Sequence, residues 1–447
     1  MLPAQLYKLS RTIFMQNKKE AEDYIYASYS KAEKHLKFGD RDALKRHPEY
    51  TKDILQKLSK VPTITVTGSK GKGSVACMIS EILQTQLNVG LMTSPHISDF
   101  CERFRFNGAQ MSDEDFINCV AKIKPQFDEI EKTLSCSEYI SPIGIQAAVA
   151  LTYFNHKNTD INVIEHGKGA KYDDVTNITH QYAAINTVFL EHTRELGQTL
   201  AEIAADKIHT VTDDVKVVAT AEQNPEVTDI MRKQANEKNC KLLEYNKDFR
   251  AENIQFSKSG MIFDVITTQN KYTGLKIPLL GVHQAKNCAL AIALCEYILP
   301  HIDIFKLKER LQQLNWPGRQ EIIASEPFMM LDASINRVNA ESVKETLKNL
   351  QFSEVVTIIG IPDDKDFAGV AEVMADISAK IILTKSSNPH YIFTEKQVDM
   401  LKQKGMETIY TNSLPEALLA AQEYNLPIVI LGTTSLISDA KMMQSSL

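Results

Sequence analysis

A glycine- and lysine-rich stretch at residues 63–74, TITVTGSKGKGS, holds the residue types and spacing in this chain that are best able to do chemistry. Its three glycines would let backbone amides approach an anion closely: Gly68, Gly71 and Gly73. Lys72 adds a mobile cation, and Ser74 stands where a hydroxyl could reach a magnesium ion that bridges two phosphates. This spacing predicts a phosphate-binding loop.

The elements on either side of the loop must position it. Ile64 and Val66 lie among β-branched threonines, which is typical of a short buried strand, and apolar residues recur at helical spacing over 75–83. The same residues also fit an ordinary strand–turn–helix with its lysines in solvent. Because the loop is shorter than the strict G-x-x-x-x-G-K-[ST] pattern, it does not decide between the two interpretations by itself.

Composition limits the kind of protein. A chain of 447 residues with 43% hydrophobic and 24% charged residues predicts a globular protein of two domains. A net charge of −6 offers no broad basic surface, so we expect no nucleic-acid partner. Seven scattered cysteines without a C-x-x-C pair argue against disulfides and zinc and fit a reducing cytosol. Without a signal-peptide core or an apolar run of roughly 18 residues, we expect a soluble cytoplasmic protein with no membrane partner, acting as a monomer.

Strands alternate with helices along the chain, which predicts parallel sheets. The predicted strands of the first domain after the loop are 88–92, 161–165, 183–189 and 215–219. Those of the second domain are 329–331, 355–359, 380–384, 408–410 and 427–431. Between them, 249–277 is β-rich and interrupted by turn residues. A turn at Trp316 places the domain bounds at 1–315 and 316–447.

Two motifs together carry a family resemblance. The loop, and the pattern S-P-H-x-x-x-x-x-E-R-x-x-x-N-G at 94–108, resemble the dihydrofolate synthase/folylpolyglutamate synthase branch of the Mur ligase superfamily. In that branch the loop usually reads T-N-G-K-G-S, so Lys70 replaces an asparagine. The resemblance implies an α/β fold in which a P-loop ATPase domain with a mainly parallel sheet precedes a smaller Rossmann-like domain. It also implies amide formation between a carboxylate and an amino acid at the expense of ATP.

The resemblance further implies a magnesium site. Glu165 stands at the glutamate of the family pattern E-V-G-L-G-G-R-x-D, and His192 stands at the histidine of D-H-x-x-x-L-G. With Ser74 they are the expected Mg²⁺ ligands. Lys207 stands at a lysine that is carbamylated in many members, and with Lys72 and His192 it is an expected catalytic residue. Taken alone, a carboxylate or a histidine at a strand end is more often a solvated or structural residue.

Three residues are expected to complete the ATP site. Asn287, in a G-x-H-Q-x-x-N-x-A-x-A pattern, would meet the adenine, while Arg319 and Asp332 would reach the nucleotide from the second domain. After its strand the family reads D-G-A-H-N-P, whereas residues 332–337 read D-A-S-I-N-R. Ile335 therefore replaces a histidine near the incoming amino acid. Arg337 would pair with an acceptor carboxylate or lie exposed at a helix start.

The function predicted from these motifs is an ATP-dependent ligase that works through an acyl phosphate. It would join an amino acid such as glutamate to a folate-like carboxylate, with ATP and Mg²⁺ as cofactors. Two alternatives stay open at this point. One is a Mur-type ligase for a non-folate acid or another amine, and the other is a nucleotide-binding regulatory module without catalysis.

Overall fold

A computed structural model describes residue 15 and residues 17–35 and 46–444 of the chain. They form two compact units. The first unit comprises residues up to 94, 100–248 and 290–301, and the second comprises 95–99, 249–289 and the chain from 302 onward. Because both units draw on separated segments, they are not continuous stretches of sequence. The predicted domain bounds of 1–315 and 316–447 stay a prediction.

The first unit is built on an eight-stranded sheet with the strand order β4-β3-β2-β5-β1-β6-β7-β8. Its strands are β1 Thr63–Thr67, β2 Val89–Met92, β3 Phe104–Phe106, β4 Ala109–Gln110, β5 Ile161–Glu165, β6 Tyr182–Ile185, β7 Val217–Thr220 and β8 Lys241–Glu244. Neighbours are parallel except at β2–β3 and β3–β4. The predicted parallel sheet is confirmed, and β1 lies between β5 and β6.

Helices pack on this sheet through apolar faces. They are α1 Lys18–Glu33, α2 Lys52–Leu58, α3 Lys72–Leu83, α4 Asp113–Glu131, α5 Pro142–Lys157, α6 Thr193–Leu196, α7 Leu200–Lys207 and α8 Pro225–Glu237. One core gathers large side chains of α4 and α5, including Phe116, Phe127 and Phe154. A second core joins α7 and α8 to β6 and β7, with Ile203 and Met231 among its buried members.

The start of α7 shows how sequence sets a helix boundary. The hydroxyl of Thr199 accepts a hydrogen bond from the amide of Glu202, and the Glu202 carboxylate accepts one from the amide of Thr199. This capping box satisfies two amides that the first turn of a helix leaves without partners. It fixes the start of the helix that ends at Lys207.

The second unit contains two sheets. A three-stranded antiparallel sheet comprises β9 Phe249–Ser257, β10 Gly260–Thr267 and β11 Lys271–Ile277, within the predicted β-rich segment. A six-stranded sheet has the order β12-β13-β17-β14-β15-β16, and all its neighbours are parallel except β12–β13. Its strands are β12 Glu321–Ser325, β13 Phe328–Asp332, β14 Val355–Gly360, β15 Ser378–Leu383, β16 Thr408–Tyr410 and β17 Ile428–Gly432.

The helices of the second unit follow the same alternation. They are α10 Ile304–Gln312, α11 Arg337–Asn349, α12 Phe367–Ala375, α13 Lys396–Gln403, α14 Leu414–Gln422 and α15 Thr434–Gln444. One further helix, α9 Val282–Cys295, belongs to the second unit up to residue 289 and to the first unit from residue 290. Among all the helices in the described ranges, none is long and apolar enough to cross a membrane.

One predicted strand ends earlier than expected. The sequence predicts a strand over 183–189, but β6 ends at Ile185. The carbonyl of Asn186 accepts a hydrogen bond from the Gln223 side chain, and Ser69 donates to the carbonyl of Thr187. These contacts draw the backbone out of the sheet and into the loop that carries His192.

Candidate active site

The phosphate-loop candidate lies at the carboxyl end of the central strand β1. Gly68 has φ of 136° and Gly71 has φ of 71°, conformations that favour glycine because it has no Cβ. At Gly68 a Cβ atom would meet the Asn186 Cβ at 2.8 Å. The helix α3 begins directly after Gly71, so its unpaired amides face the loop. Local geometry therefore matches an anion-binding strand–loop–helix.

The loop is hydrogen-bonded to the segment that follows β6. The amide of Ser69 donates to the carbonyl of Thr187 at 2.9 Å. The Ser69 hydroxyl donates to the Phe189 carbonyl at 3.1 Å and accepts from the Phe189 amide at 3.0 Å. These bonds give the loop one fixed position beside the residues that lead to His192.

Two lysines converge on one carbonyl of this loop. Lys72 donates to the Gly68 oxygen at 3.2 Å, and Lys207 donates to the same oxygen at 3.0 Å. Lys207 also lies 2.8 Å from a carboxylate oxygen of Glu191, and its side chain is only 1% exposed. Burial lowers the pKa of Lys207, while the charge of Glu191 opposes that shift. The structure thus brings Lys72 and Lys207 together and adds Glu191, for which the motifs predicted no role.

Glu165 ends the neighbouring strand β5. In the parallel pairing it lies opposite Val66, one residue before the end of β1. Its side chain is 3% exposed, and its Oε2 accepts a hydrogen bond of 2.9 Å from the amide of Ser94. The carboxylate is consequently oriented at the same edge of the sheet as the loop.

His192 occupies the turn before α6 with φ of 45°, an uncommon conformation for a residue other than glycine. Its Nε2 lies 3.9 Å from a carboxylate oxygen of Glu191. Burial lowers the pKa of His192, and the charges of Lys168 and Lys72 lower it further against the effect of Glu191. The lowered pKa favours the neutral imidazole, whose lone pair could bind a cation.

The three candidate metal ligands have suitable chemistry. The hydroxyl of Ser74 and the carboxylate of Glu165 are hard oxygen donors of the kind Mg²⁺ prefers, and neutral His192 adds a nitrogen donor. Ser74, in the first turn of α3, is 2% exposed. The donor set fits Mg²⁺, and the ligand role of these residues stays a prediction.

The nucleotide candidates of the second unit belong to a network of polar contacts. Asp332 is 6% exposed and accepts from the amide of Gln320 at 2.9 Å. The Gln320 side chain donates to the Ser342 hydroxyl at 3.1 Å, and that hydroxyl lies 2.9 Å from Nδ1 of His283. This network holds Asp332 and the start of α9 in one arrangement.

The other two nucleotide candidates, Asn287 and Arg319, form hydrogen bonds with residues close to them in the sequence. Asn287 is 4% exposed and donates to the Gln284 side chain at 3.1 Å. Arg319 donates to the Gly318 carbonyl at 3.0 Å and is partly exposed. The binding roles predicted for them stay predictions.

Ile335 and Arg337 differ from the family motif, and the structure shows what Arg337 contacts. Arg337 begins α11 and pairs with the Glu372 carboxylate, which also binds Lys404 at 2.6 Å. The pairing gives Arg337 a partner within its own unit. Ile335 offers no group that could replace the histidine of the family motif.

A cluster of buried charges follows Glu165. Asp173 accepts from the amides of Gly167 and Lys168 at 3.1 and 3.0 Å, and its carboxylate lies 3.6 Å from Arg46. Asp174 is fully buried and accepts from the Thr51 hydroxyl at 2.6 Å. Burial raises the pKa of Asp174 to about 7. Acidic residues next to each other in a loop usually lie in solvent, so nothing in the sequence indicated this burial.

The segment that holds the phosphate loop and the candidate metal ligands matches a known protein family. The family model of the Mur ligase middle domain matches residues 66–295, which is more than half of the 447 residues. The chain belongs to the Mur ligase family. The matched segment contains the loop and both candidate ligand strands, so the family resemblance predicted from the motifs is confirmed.

Relatives of this Mur ligase share the name folylpolyglutamate synthase. A dihydrofolate synthase/folylpolyglutamate synthase from Bacillus subtilis is 28% identical over 356 residues, covering 77% of this chain and 81% of that protein. A probable bifunctional folylpolyglutamate synthase/dihydropteroate synthase from Haloferax volcanii is 29% identical over 342 residues, which are 74% of this chain but 40% of that protein. The solved structure of a folylpolyglutamate synthase from Thermotoga maritima has a TM-score of 0.82 at 26% identity, covering 96% of this chain and 97% of the other. The names of these relatives agree with the branch that the motifs resemble, and they favour an enzyme over an inactive module.

Proposed function

We propose that this Mur ligase is an ATP-dependent ligase that joins an amino acid such as glutamate to a folate-like carboxylate. The observation that carries the proposal is the convergence of Lys72 and Lys207 on the Gly68 carbonyl, beside the amino end of α3. Backbone amides and two cations at one point form a site for a polyphosphate. The names of the relatives supply the acid and the amino acid.

The chemistry that the site would perform has two steps. A carboxylate oxygen of the acid attacks the γ-phosphorus of ATP, which gives an acyl phosphate and ADP. The amine then attacks the carbonyl carbon, the C–O bond to phosphate breaks, and the amine proton leaves to solvent. Both steps depend on cations that hold negative charge in a fixed position, and this is the part that Lys72 and the loop amides would play.

Lys207 would hold the loop and orient the transferred phosphate from its buried position beside Glu191. Ser74, Glu165 and His192 would hold Mg²⁺, which would neutralise phosphate charge when bound. Asn287, Arg319 and Asp332 are the residues of the second unit that we predict to contact the nucleotide, Asn287 at the adenine.

A different amine acceptor is a second candidate, because Ile335 replaces the family histidine near the incoming amino acid. An isoleucine can neither exchange a proton nor bind a carboxylate. Arg337 does not replace it in the structure, since its guanidinium pairs with Glu372. An acceptor without a carboxylate near this position would lose nothing from the change.

The test is ADP release that depends on both an acid and an amine, measured with folates and other acids beside glutamate and other amines. Lys72→Ala should abolish turnover in a folded protein, because the Lys72 ammonium group would contact phosphate and does not belong to the packed core. Lys70→Asn is the matched control: it removes a charge from the same loop, restores the family residue, and should keep most of the activity. Full turnover in folded Lys72→Ala would contradict the proposal.

A further inference from the structure

The turn that leads into β12 has an uncommon backbone conformation at Gln320. Its φ of 48° lies in the left-handed region, which residues other than glycine seldom adopt, and the residue is 2% exposed. Such a conformation persists where the surrounding contacts hold it in place. Arg319 directly precedes Gln320, so the conformation at Gln320 sets how the backbone carries Arg319 relative to β12.

The main chain of this turn is hydrogen-bonded to Asp332, the last residue of β13. The amide of Gln320 donates to Oδ2 of Asp332 at 2.9 Å, and the hydroxyl of Ser334 donates to Oδ1. Each carboxylate oxygen therefore has its own donor, and Asp332 is only 6% exposed. The position of the Asp332 carboxylate and the conformation of the turn consequently depend on each other.

The side chain of Gln320 is hydrogen-bonded to α11 and, through it, to α9. Its Nε2 donates to the hydroxyl of Ser342 at 3.1 Å, which leaves the proton of that hydroxyl for Nδ1 of His283 at 2.9 Å. Because Oε1 of Gln320 accepts no hydrogen bond from the described residues, the bond to Ser342 is the one that orients the side chain. We refer to Gln320, Ser342 and His283 as the Gln320 network.

Close packing within the Gln320 network is possible because residue 281 is a glycine. Gly281 has φ of 101°, and a Cβ atom there would lie 2.4 Å from the His283 ring and 3.2 Å from Nε2 of Gln320. The first of these distances is a steric clash, so a side chain at this position would displace the His283 ring. The glycine therefore leaves the space that the imidazole and the amide group occupy.

The Gln320 network adjoins each of the three residues that are predicted to contact the nucleotide. Arg319 is the chain neighbour of Gln320, and Asp332 accepts the hydrogen bond from the Gln320 amide. Asn287 lies four residues after His283 in α9, which places both on one face of that helix. All of these residues belong to the second unit. A change in the network would therefore reach all three predicted contacts.

We propose that Gln320 is a positioning residue of the nucleotide site. Its hydrogen bonds to Asp332 and Ser342 hold the turn in the conformation in which Arg319 and Asp332 bind ATP, and Gln320 itself need not contact the nucleotide. The assignment rests on the proposed function, because the nucleotide roles of Arg319 and Asp332 belong to that proposal. Without the bond to Ser342 the turn would relax toward a negative φ, and the affinity for ATP would fall although the protein stays folded.

Calorimetric titration of the full-length protein with AMPPCP and Mg²⁺ measures this affinity without turnover. Ser342→Ala removes the hydroxyl that orients Gln320 and should raise the Kd about fivefold or more, the effect expected for one hydrogen bond. Thr346→Val is the matched control: it removes from the same helix a hydroxyl that donates to the Ser342 carbonyl at 3.0 Å, and it should leave the Kd within about twofold. An unchanged Kd in Ser342→Ala, or an equal rise in Thr346→Val, would overturn the proposal.

Two substitutions of Gln320 separate the backbone from the side chain. Gln320→Ala loses the bond to Ser342 in a residue that disfavours positive φ, and it should raise the Kd about tenfold or more. Gln320→Gly loses the same bond, but glycine adopts positive φ readily, so it should recover about threefold or more of that affinity. Equal affinities of the two variants would overturn the proposal. Circular dichroism checks the fold of each variant, and if Gln320→Ala does not fold, Ser342→Ala and Thr346→Val decide.

Turnover distinguishes the positioning role from general damage and from failure of the proposed function. In amine-dependent ADP release, Ser342→Ala should raise the KM for ATP about fivefold and leave the KM for the acid within about twofold, whereas a merely structural loss would lower kcat alone. Weaker AMPPCP binding in the variants of a protein that releases no ADP would contradict the ligase function while supporting the positioning role. ADP release with an unchanged KM for ATP would do the opposite. A wild-type protein that binds no AMPPCP would contradict both.

Discussion

Asp174→Asn should remove a component of stability that depends on pH. The Asp174 carboxyl group is fully buried, and burial raises its pKa from 3.8 to about 7. The folded protein therefore binds a proton on this group over a pH range in which the unfolded chain has released it. Since stability falls with pH wherever the folded state binds more protons, wild-type protein should lose stability from about pH 4 to about pH 7.

The size of the effect follows from the shift. A change of about three pKa units, at about 1.4 kcal/mol each, sets an upper limit of about 4 kcal/mol on the loss. Asparagine keeps the shape and the acceptor for the Thr51 hydroxyl but cannot ionise. Any constant cost of the amide group cancels when the change between two pH values is compared. Between pH 5 and pH 8, where about two of those units apply, we expect wild type to lose about 2–3 kcal/mol more than the variant.

The assay is urea unfolding at pH 5 and pH 8, followed by far-ultraviolet circular dichroism. Asp213→Asn serves as the control, because Asp213 is 87% exposed and its removal changes the same net charge without a buried group. Its pH dependence should equal that of wild type. An equal loss of stability in wild type and Asp174→Asn would refute the argument, because it would mean that this carboxyl group is ionised in the folded protein at pH 5.

Two further substitutions probe the site and its surroundings. Glu191→Gln should lower the free energy of unfolding by about 2 kcal/mol, which is less than for a fully buried pair because Glu191 is 18% exposed. The substitution should also slow turnover. A change below about 0.5 kcal/mol in chemical unfolding would show that Lys207 does not need this counterion. Arg337→Ala should cost less than about 1 kcal/mol and leave the KM for the amino acid within about twofold, because its half-exposed guanidinium already pairs with Glu372. A tenfold rise in that KM would instead place Arg337 in the acceptor site.

Local patterns predicted much of the first sheet. The strand β5 matches its prediction residue for residue, and β1 and α3 flank the glycine loop as expected, because each is a short apolar run or an apolar helical face bounded by turn residues. The edge strand β12 was not predicted. All its side chains are at least partly exposed, so no buried alternation marked it.

The contacts that assemble the site could not be predicted in the same way. Lys207 and Gly68 are 139 residues apart, and only the order of β5, β1 and β6 brings them together. Family motifs indicated Lys207 as a site residue, but only the folded structure shows that it pairs with Glu191.

The carbonyl of Gly68 has two lysine donors, so the loop could bind a phosphate without leaving this oxygen without a hydrogen bond. A lysine that turns toward a ligand normally abandons its previous acceptor, and a backbone oxygen left alone in a buried setting is costly, about 1–3 kcal/mol. Here Lys72 can leave while the Gly68 oxygen keeps the bond from Lys207. If a phosphate binds as proposed, Lys72 could turn toward it while the backbone at Gly68 keeps its hydrogen bond from Lys207.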